Sequence, residues 1–363
     1  MVRVAFRADA SPRIGIGHVM RCLTLAQLIA RETASEILFI CNRDLPESVR
    51  ERIMDAGFIL EFTNPADDFE WRSDVRRFIE LGGVGRKRKK FDWVVADHYS
   101  IDRRWEAEVR CVARRILVID DLADRPHECD VLLDQNLIAG MEQRYLGLVP
   151  EGCRLFLGPG YALLREEFFA AKSLARERTE LRHVLVNFGG SDPTGEAFKV
   201  LVALKETGWA DEPAALGLTA IHFHVVAGPA NPRLNELAER CRGMPNVSFY
   251  TEIKDMARFL AGMDLAVGAG GVSMWERAFM GVPSAVIAVA DNQIPAAEET
   301  AKRGIVWYLG KCDAVTPAAI AGLLRTLEEN PQELGRISRN ALHIMQTLRN
   351  ASLHPIVEYM LNV

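Results

Sequence analysis

The chain has 363 residues, 49% of them hydrophobic and 26% charged, which is enough core material for two globular domains of ordinary size. A net charge of −5 with a pI near 6.0 excludes the broad basic face of a nucleic-acid binder. The opening MVRVAFRADAS lacks the charged n-region and apolar h-region of a signal peptide, and no apolar run reaches the roughly 20 residues of a membrane span. Seven cysteines are scattered without a CxxC pair, as expected for reduced thiols in a cytoplasmic protein.

In chain order, short apolar runs alternate with amphipathic stretches, the pattern of a parallel α/β architecture. The first half predicts strands at Val2–Arg7, Glu36–Cys41, Ile59–Phe62, Trp93–Ala96, Ile116–Asp120 and Val131–Leu133. Between them, helical patterns run over Val19–Ala30, Pro46–Ala56, Glu70–Leu81 and Asp102–Ala113. The basic run Arg86–Lys90 reads as a solvated loop or a small anion-facing patch.

The second half predicts strands at His183–Phe188, Ile221–Ala227, Val247–Tyr250, Leu265–Gly268 and Ser284–Ile287. Its helices are expected at Glu196–Thr207, Arg233–Arg240, Asp255–Gly262, Ser273–Met280 and Ala296–Lys302. The stretch from Pro331 to Val363 is helical in pattern and is expected to cross back onto the first domain. Together these elements predict two Rossmann-like α/β domains facing a cleft, spanning 1–170 and 171–363.

Each half opens as strand, glycine loop, helix, a layout that aims backbone N–H groups and a positive helix end at an anion. In the first half the loop is Gly15-Ile16-Gly17-His18, and in the second it begins Gly189-Gly190-Ser191-Asp192. The first loop lacks the third glycine of a dinucleotide fingerprint, although Asp44 leaves an oxidoreductase open. The segment around Gly270-Gly271-Val272-Ser273 combines backbone able to approach a diphosphate with a serine able to cap a helix or donate to phosphate. Glu276, one turn beyond Ser273, either accepts two ribose hydroxyls or is a surface glutamate. Asn292 and Gln293 suit sugar hydroxyls or acetamido groups, or else an ordinary helix start. His18, just after the glycines, is a candidate general base, with Asp9 a rival carboxylate at the strand end. Arg13, like Arg7, is either a phosphate contact or a salt-bridged support. His127-Glu128-Cys129-Asp130 finds no partner set at ligand spacing, so no metal is expected.

Four segments together resemble the PseG family of UDP-sugar hydrolases from the pseudaminic acid pathway: RADASPRIGIGHVMRCLTLA, the DHY at Asp97–Tyr99, NFGGSDPTG and GAGGVSMWERAFMGVP. That family has the glycosyltransferase-B fold and is similar in plan to MurG. The resemblance runs from the first residues to about Gly310. It implies hydrolysis of UDP-2,4-diacetamido-2,4,6-trideoxy-β-L-altropyranose to UDP and free sugar, at the anomeric carbon, with inversion and without metal or other cofactor. It also implies roles: His18 as base, Tyr99 near the sugar or water, Glu276 on the ribose, Asn292 and Gln293 at sugar and phosphates, and Ile253 pairing backbone with uracil. The Arg86–Lys90 run and the last thirty or so residues match no motif of that family. The implied partner is a small UDP-sugar, with no nucleic acid and no membrane, and monomer is the default. A glycosyltransferase on the same fold and a catalytically silent nucleotide-sugar binder are the alternatives.

Overall fold

A computed structural model describes residues 1–11, 15–63, 69–82, 89–210 and 221–363. The chain divides into two compact units: Met1–Asn136, Gly140–Leu164 and Ala351–Val363 form the first, and Leu137–Ala139 with Arg165–Asn350 form the second.

In the first unit, β1 (Val2–Ala8), α1 (Gly17–Glu32), β2 (Ser35–Cys41), α2 (Glu47–Asp55), β3 (Ile59–Phe62), α3 (Trp71–Gly82), β4 (Phe91–Asp97), α4 (Arg103–Val109), β5 (Ala113–Ile119), β6 (Val131–Asp134) and β7 (Arg154–Leu157) follow in order. They build a seven-stranded sheet ordered β3-β2-β1-β4-β5-β6-β7, with every pairing parallel. A parallel sheet covered on both faces needs near-continuous apolar strands, and β1, β2 and β4 are buried along most of their length. One face packs Phe78 against Trp105, ring centroids 5.1 Å apart, within a core that also holds Phe91, Val94 and Leu132.

The second unit contains α5 (Glu166–Ala170), β8 (His183–Asn187), α6 (Glu196–Thr207), β9 (His222–Val226), α7 (Leu234–Arg242), β10 (Val247–Tyr250), α8 (Met256–Ala261), β11 (Leu265–Ala269), α9 (Val272–Phe279), β12 (Ser284–Ala288), α10 (Ile294–Lys302), β13 (Trp307–Lys311), α11 (Pro317–Glu329), α12 (Gln332–Ile344) and α13 (Gln346–Asn350). Its parallel sheet is ordered β10-β9-β8-β11-β12-β13. Both sheets therefore share the doubly wound order in which the first strand is central and the chain reverses direction beside it. The chain then re-enters the first unit through α14 (Pro355–Asn362). There the Trp93 indole N–H donates to the Met360 carbonyl at 3.0 Å, and His354 Nε2 lies 3.2 Å from the Ala162 carbonyl.

Several elements differ from expectation, among them the helices α5 and α11, which were not predicted. The helix predicted over Asp102–Ala113 stops at Val109, because Ala113 pairs with Phe91 and begins β5. Two edge strands, β7 and β13, were not predicted. Both carry short apolar runs, Leu155–Leu157 and Ile305–Leu309, and most of their residues are half-buried. Among the described residues, no helix is long and apolar enough to cross a membrane.

Candidate functional site

Each doubly wound sheet has a switch point where neighbouring strands send their helices to opposite faces, and side chains at the carboxyl ends of those strands converge there. In the first unit that point lies between β1 and β4. Gly15 turns the chain with φ +81°, a left-handed conformation that favours glycine, and Gly17 then starts α1. A Cβ at Gly17 would meet nothing within 4 Å and its φ is not positive, so neither packing nor backbone conformation demands glycine there. The N-terminus of α1 carries no side-chain cap and no acidic residue in its first turn. Arg13 lies outside the described residues, as do Arg86, Lys87 and Arg88 of the basic run.

His18 follows in the first turn and is 7% exposed. Its Nδ1 lies 2.6 Å from Asp97 Oδ1 at the end of β4. An ionised carboxylate at that distance accepts from Nδ1–H, which keeps the proton on Nδ1 and leaves Nε2 as the acceptor. Arg21, one turn further along α1, grips the same carboxylate through Nε and through Nη2 at 2.7 Å, and reaches Asp121 Oδ2 at 3.3 Å. Burial alone would raise the Asp97 carboxyl, but Arg21 and His18 outweigh it and hold it well below the usual carboxylate range. Tyr99 presents its ring edge-on to His18 with centroids 4.5 Å apart, and its hydroxyl lies 3.5 Å from Asp121 Oδ2.

Asp9 sits in a second, separate network. It is paired to Arg7, accepts the Asn42 N–H at 2.8 Å and lies 3.0 Å from His98 Nε2. Arg7 is itself wedged against Asp74, whose Oδ1 also accepts from the Trp105 indole at 2.8 Å. Burial would raise the Asp9 carboxyl, yet Arg7 and His98 hold it well below the usual range. With both oxygens engaged and its proton affinity suppressed, Asp9 is a structural anion. Burial also pushes the His98 imidazole below its ordinary value.

In the second unit the candidate residues lie at the carboxyl ends of β8, β10, β11 and β12. A Cβ at Gly268 would stand 2.4 Å from the Asn187 carbonyl oxygen and 2.9 Å from Arg277 Nη1, so β11 must carry glycine where it meets β8. Gly271 is the N-cap of α9, which has neither a side-chain cap nor an acid in its first turn, so the amides around Val272 and Ser273 form a positive, anion-ready end. Arg277, 2% exposed, fastens this loop from beneath: Nη2 donates to the Ala269 carbonyl at 2.7 Å, Nη1 to Ser273 Oγ at 3.2 Å and Nε to Ser284 Oγ at 2.9 Å. Ser273 Oγ accepts that bond and keeps its hydroxyl proton to donate.

Gln293 stitches two loops together. Its Oε1 accepts from Gly270 N at 3.3 Å and Val289 N at 3.1 Å, so its amide N–H groups are the donors left over. Asn292, beside it, is exposed. Glu276 Oε1 accepts from Arg165 Nε at 3.0 Å, a partner far away in sequence. Ile253 is half-buried on the loop between β10 and α8.

The loop at Gly190 and Ser191 behaves differently. Asp192 adopts a left-handed φ of +39°, and its carboxylate accepts from Glu196 N at 2.9 Å and Ala197 N at 3.0 Å. The first-turn amides of α6 are thus already held by the chain's own anion, leaving only the loop amides ahead of them. Sequence reasoning named His18, Tyr99 and Glu276 but gave no role to Asp97, Arg21, Asp121, Arg165 or Arg277. For Asp97 a signal existed, since it follows directly on the apolar run Val94–Ala96, and Asp121 lies two positions beyond Ile119 at the end of another. Among the described residues, no cluster of three or more His, Cys, Asp or Glu side chains is arranged to hold a metal ion.

Two Rossmann-like units with these strand orders are the glycosyltransferase-B fold. The rhamnosyltransferase SpnG is similar over 100% of both chains, with a TM-score of 0.65 at 14% identity. MurG of Acinetobacter baumannii is likewise similar over 100% of both chains, with a TM-score of 0.62 at 14% identity. The chain belongs to the family of the spore coat polysaccharide biosynthesis protein SpsG: it is 32% identical to the Bacillus subtilis protein over 310 residues, covering 85% of this chain and 84% of that one. It is also 26% identical to the UDP-2,4-diacetamido-2,4,6-trideoxy-β-L-altropyranose hydrolase of Campylobacter jejuni, over 84% of this chain and 97% of that one. MJ1062 of Methanocaldococcus jannaschii, an uncharacterized protein, is 28% identical over 79% of this chain, which spans only about half of it (55%). No family model matches the chain.

Proposed function

We infer that the protein hydrolyses a UDP-sugar, with UDP-2,4-diacetamido-2,4,6-trideoxy-β-L-altropyranose as the first candidate, releasing UDP and the free sugar. The observation that carries this reading is the His18–Asp97 pair, a general base with its tautomer set, at the switch point of the first sheet. In this reading His18 Nε2 removes a proton from water as the oxygen attacks the anomeric carbon. The bond from that carbon to the β-phosphate oxygen breaks, and UDP leaves with the electron pair. Asp97 stabilises the resulting imidazolium, Arg21 keeps Asp97 ionised, and the edge of Tyr99 holds the imidazole plane.

The second unit takes the nucleotide. The amides of Gly271, Val272 and Ser273 with the α9 dipole receive the diphosphate, helped by the Gln293 amide and the Ser273 hydroxyl. Glu276, oriented by Arg165, accepts the ribose hydroxyls, while Ile253 offers backbone to uracil and Asn292 reaches the sugar or phosphates. Gly17, with no neighbour around its missing Cβ, lets substrate approach the first loop closely. The relative from Campylobacter jejuni supports the hydrolytic reading through its name. The reading places the work in the cytoplasm, where nucleotide sugars are made, and takes the protein as a monomer.

The test is turnover of that UDP-sugar in heavy-oxygen water with chelator present, followed by mass spectrometry. Label in the released sugar is the expected result. Label in UDP would mean attack at phosphorus, and release only when an acceptor alcohol is added would make the enzyme a transferase.

A further inference from the structure

At the carboxyl ends of β2 and β3, away from every group given a role in turnover, the first unit carries a cavity of about 450 Å³ lined by Arg43, Arg50, Glu61, Phe62 and Arg77. Its size falls within the range of small-molecule pockets. Among the described lining residues, three guanidiniums stand against the single carboxylate of Glu61.

The way these arginines are held matters more than their number. Arg50 Nε donates to the Leu45 carbonyl at 2.8 Å and Nη2 to the Arg43 carbonyl at 2.7 Å. Arg43 Nε donates to the Thr63 carbonyl at 3.2 Å. Backbone carbonyls orient a guanidinium without neutralising it. The ion-paired carboxylates among the described residues are exposed: Glu47 lies 3.7 Å from Arg50 and Glu80 lies 3.5 Å from Arg77, pairs that contribute little in water. Arg43 forms no ion pair among the described residues. The Arg50 guanidinium also stacks over the Phe62 ring at 5.0 Å, which fixes its plane and places an apolar wall beside the charge.

We propose that this cavity binds a small organic phosphate: a dianionic phosphoryl group held by Arg43, Arg50 and Arg77, with a sugar-sized body against Phe62. Forked guanidiniums match phosphate oxygens in pairs, and a dianion complements the three arginines. Arg43 immediately follows Asn42, whose N–H is held by Asp9, so the pocket is built on the loop that also braces the Asp9–His98 network. It shares no lining residue with the groups assigned to hydrolysis and stands or falls without that assignment.

Calorimetric titration of the full chain with glucose 6-phosphate, in the presence of excess UDP, tests it. Saturable binding is expected, with glucose itself showing none. The double variant Arg43→Ala/Arg77→Ala is expected to weaken that binding at least tenfold and to leave UDP affinity and the melting temperature unchanged, since both side chains are exposed. The proposal is overturned if glucose binds equally well, if UDP displaces the sugar phosphate, if the double variant binds as the parent does, or if no binding is seen.

Discussion

In the first unit the carboxyl edge of the sheet is crowded with paired side chains. In the second unit, the same edge of a sheet with the same strand order is lined by backbone. Around β1 and β4, His18, Asp97, Arg21 and Asp121 interlock, and Arg7, Asp9, Asp74 and His98 form a second set. Around β11 and β12, the loop Gly270-Gly271 leads into the uncapped start of α9, and the buried Arg277, at 2% exposure, works from below. A single topology thus presents two kinds of surface. Fixed side chains suit proton transfer, whereas peptide amides at a helix start suit a diphosphate. The second unit repeats the lesson within itself: α6 and α9 both follow glycine loops, but Asp192 caps the first, and among the described residues no side chain caps the second.

Substitutions should separate these roles, the largest effect coming from the first unit. His18→Asn is expected to lower kcat on the order of 10³-fold while leaving UDP affinity within a few-fold; near-normal turnover would remove His18 from the mechanism. Asp97→Asn is expected to lower kcat on the order of 10²-fold through loss of the tautomer, again without weakening UDP binding. It carries a second signature. Native Asp97 is held below its unfolded value of about 3.9, so its contribution to stability is present above that pH and lost as pH falls through the native value. Urea unfolding at pH 7 and pH 3 should therefore differ less in the variant than in the parent.

Glu276→Gln moves to the other unit and is expected to weaken UDP binding on the order of tenfold, the loss of a charge-assisted hydrogen bond, with a smaller change in kcat. Calorimetry with UDP reads this directly, and an unchanged affinity would take Glu276 off the ribose. Asp192→Ala is the smallest. It should cost about 1 kcal/mol of stability as a lost helix cap, with UDP affinity unchanged. A variant that instead bound UDP more tightly would mean that the Asp192 carboxylate competes with the diphosphate for α6.

Much of the candidate site was legible as local motifs, because their signals are local. Gly15-Ile16-Gly17-His18 and Gly270-Gly271-Val272-Ser273 announce a turn and a helix start within four residues, and such motifs depend on backbone chemistry alone. Partnerships across the chain were not legible. Asp97 lies 79 positions from His18, and Arg165 lies 111 positions from Glu276, and no spacing rule connects them. The rivalry between His18 and Asp9 was equally opaque, since it turns on Arg7, Asn42 and His98 occupying Asp9.

The sequence by itself determined the α/β alternation, the buried strands and the glycine loops. These follow from hydrophobic period and from backbone sterics, which act over a few residues. Only the tertiary structure decided where α4 gives way to β5, which edge strands complete the sheets, and which helix start stays open to an anion. Those outcomes depend on pairing in space: Ala113 joins the ladder opposite Phe91, and Asp192 folds back onto its own helix. Charge behaves the same way, because a carboxylate's proton affinity is set by the groups that burial brings against it, and burial is a property of the whole fold.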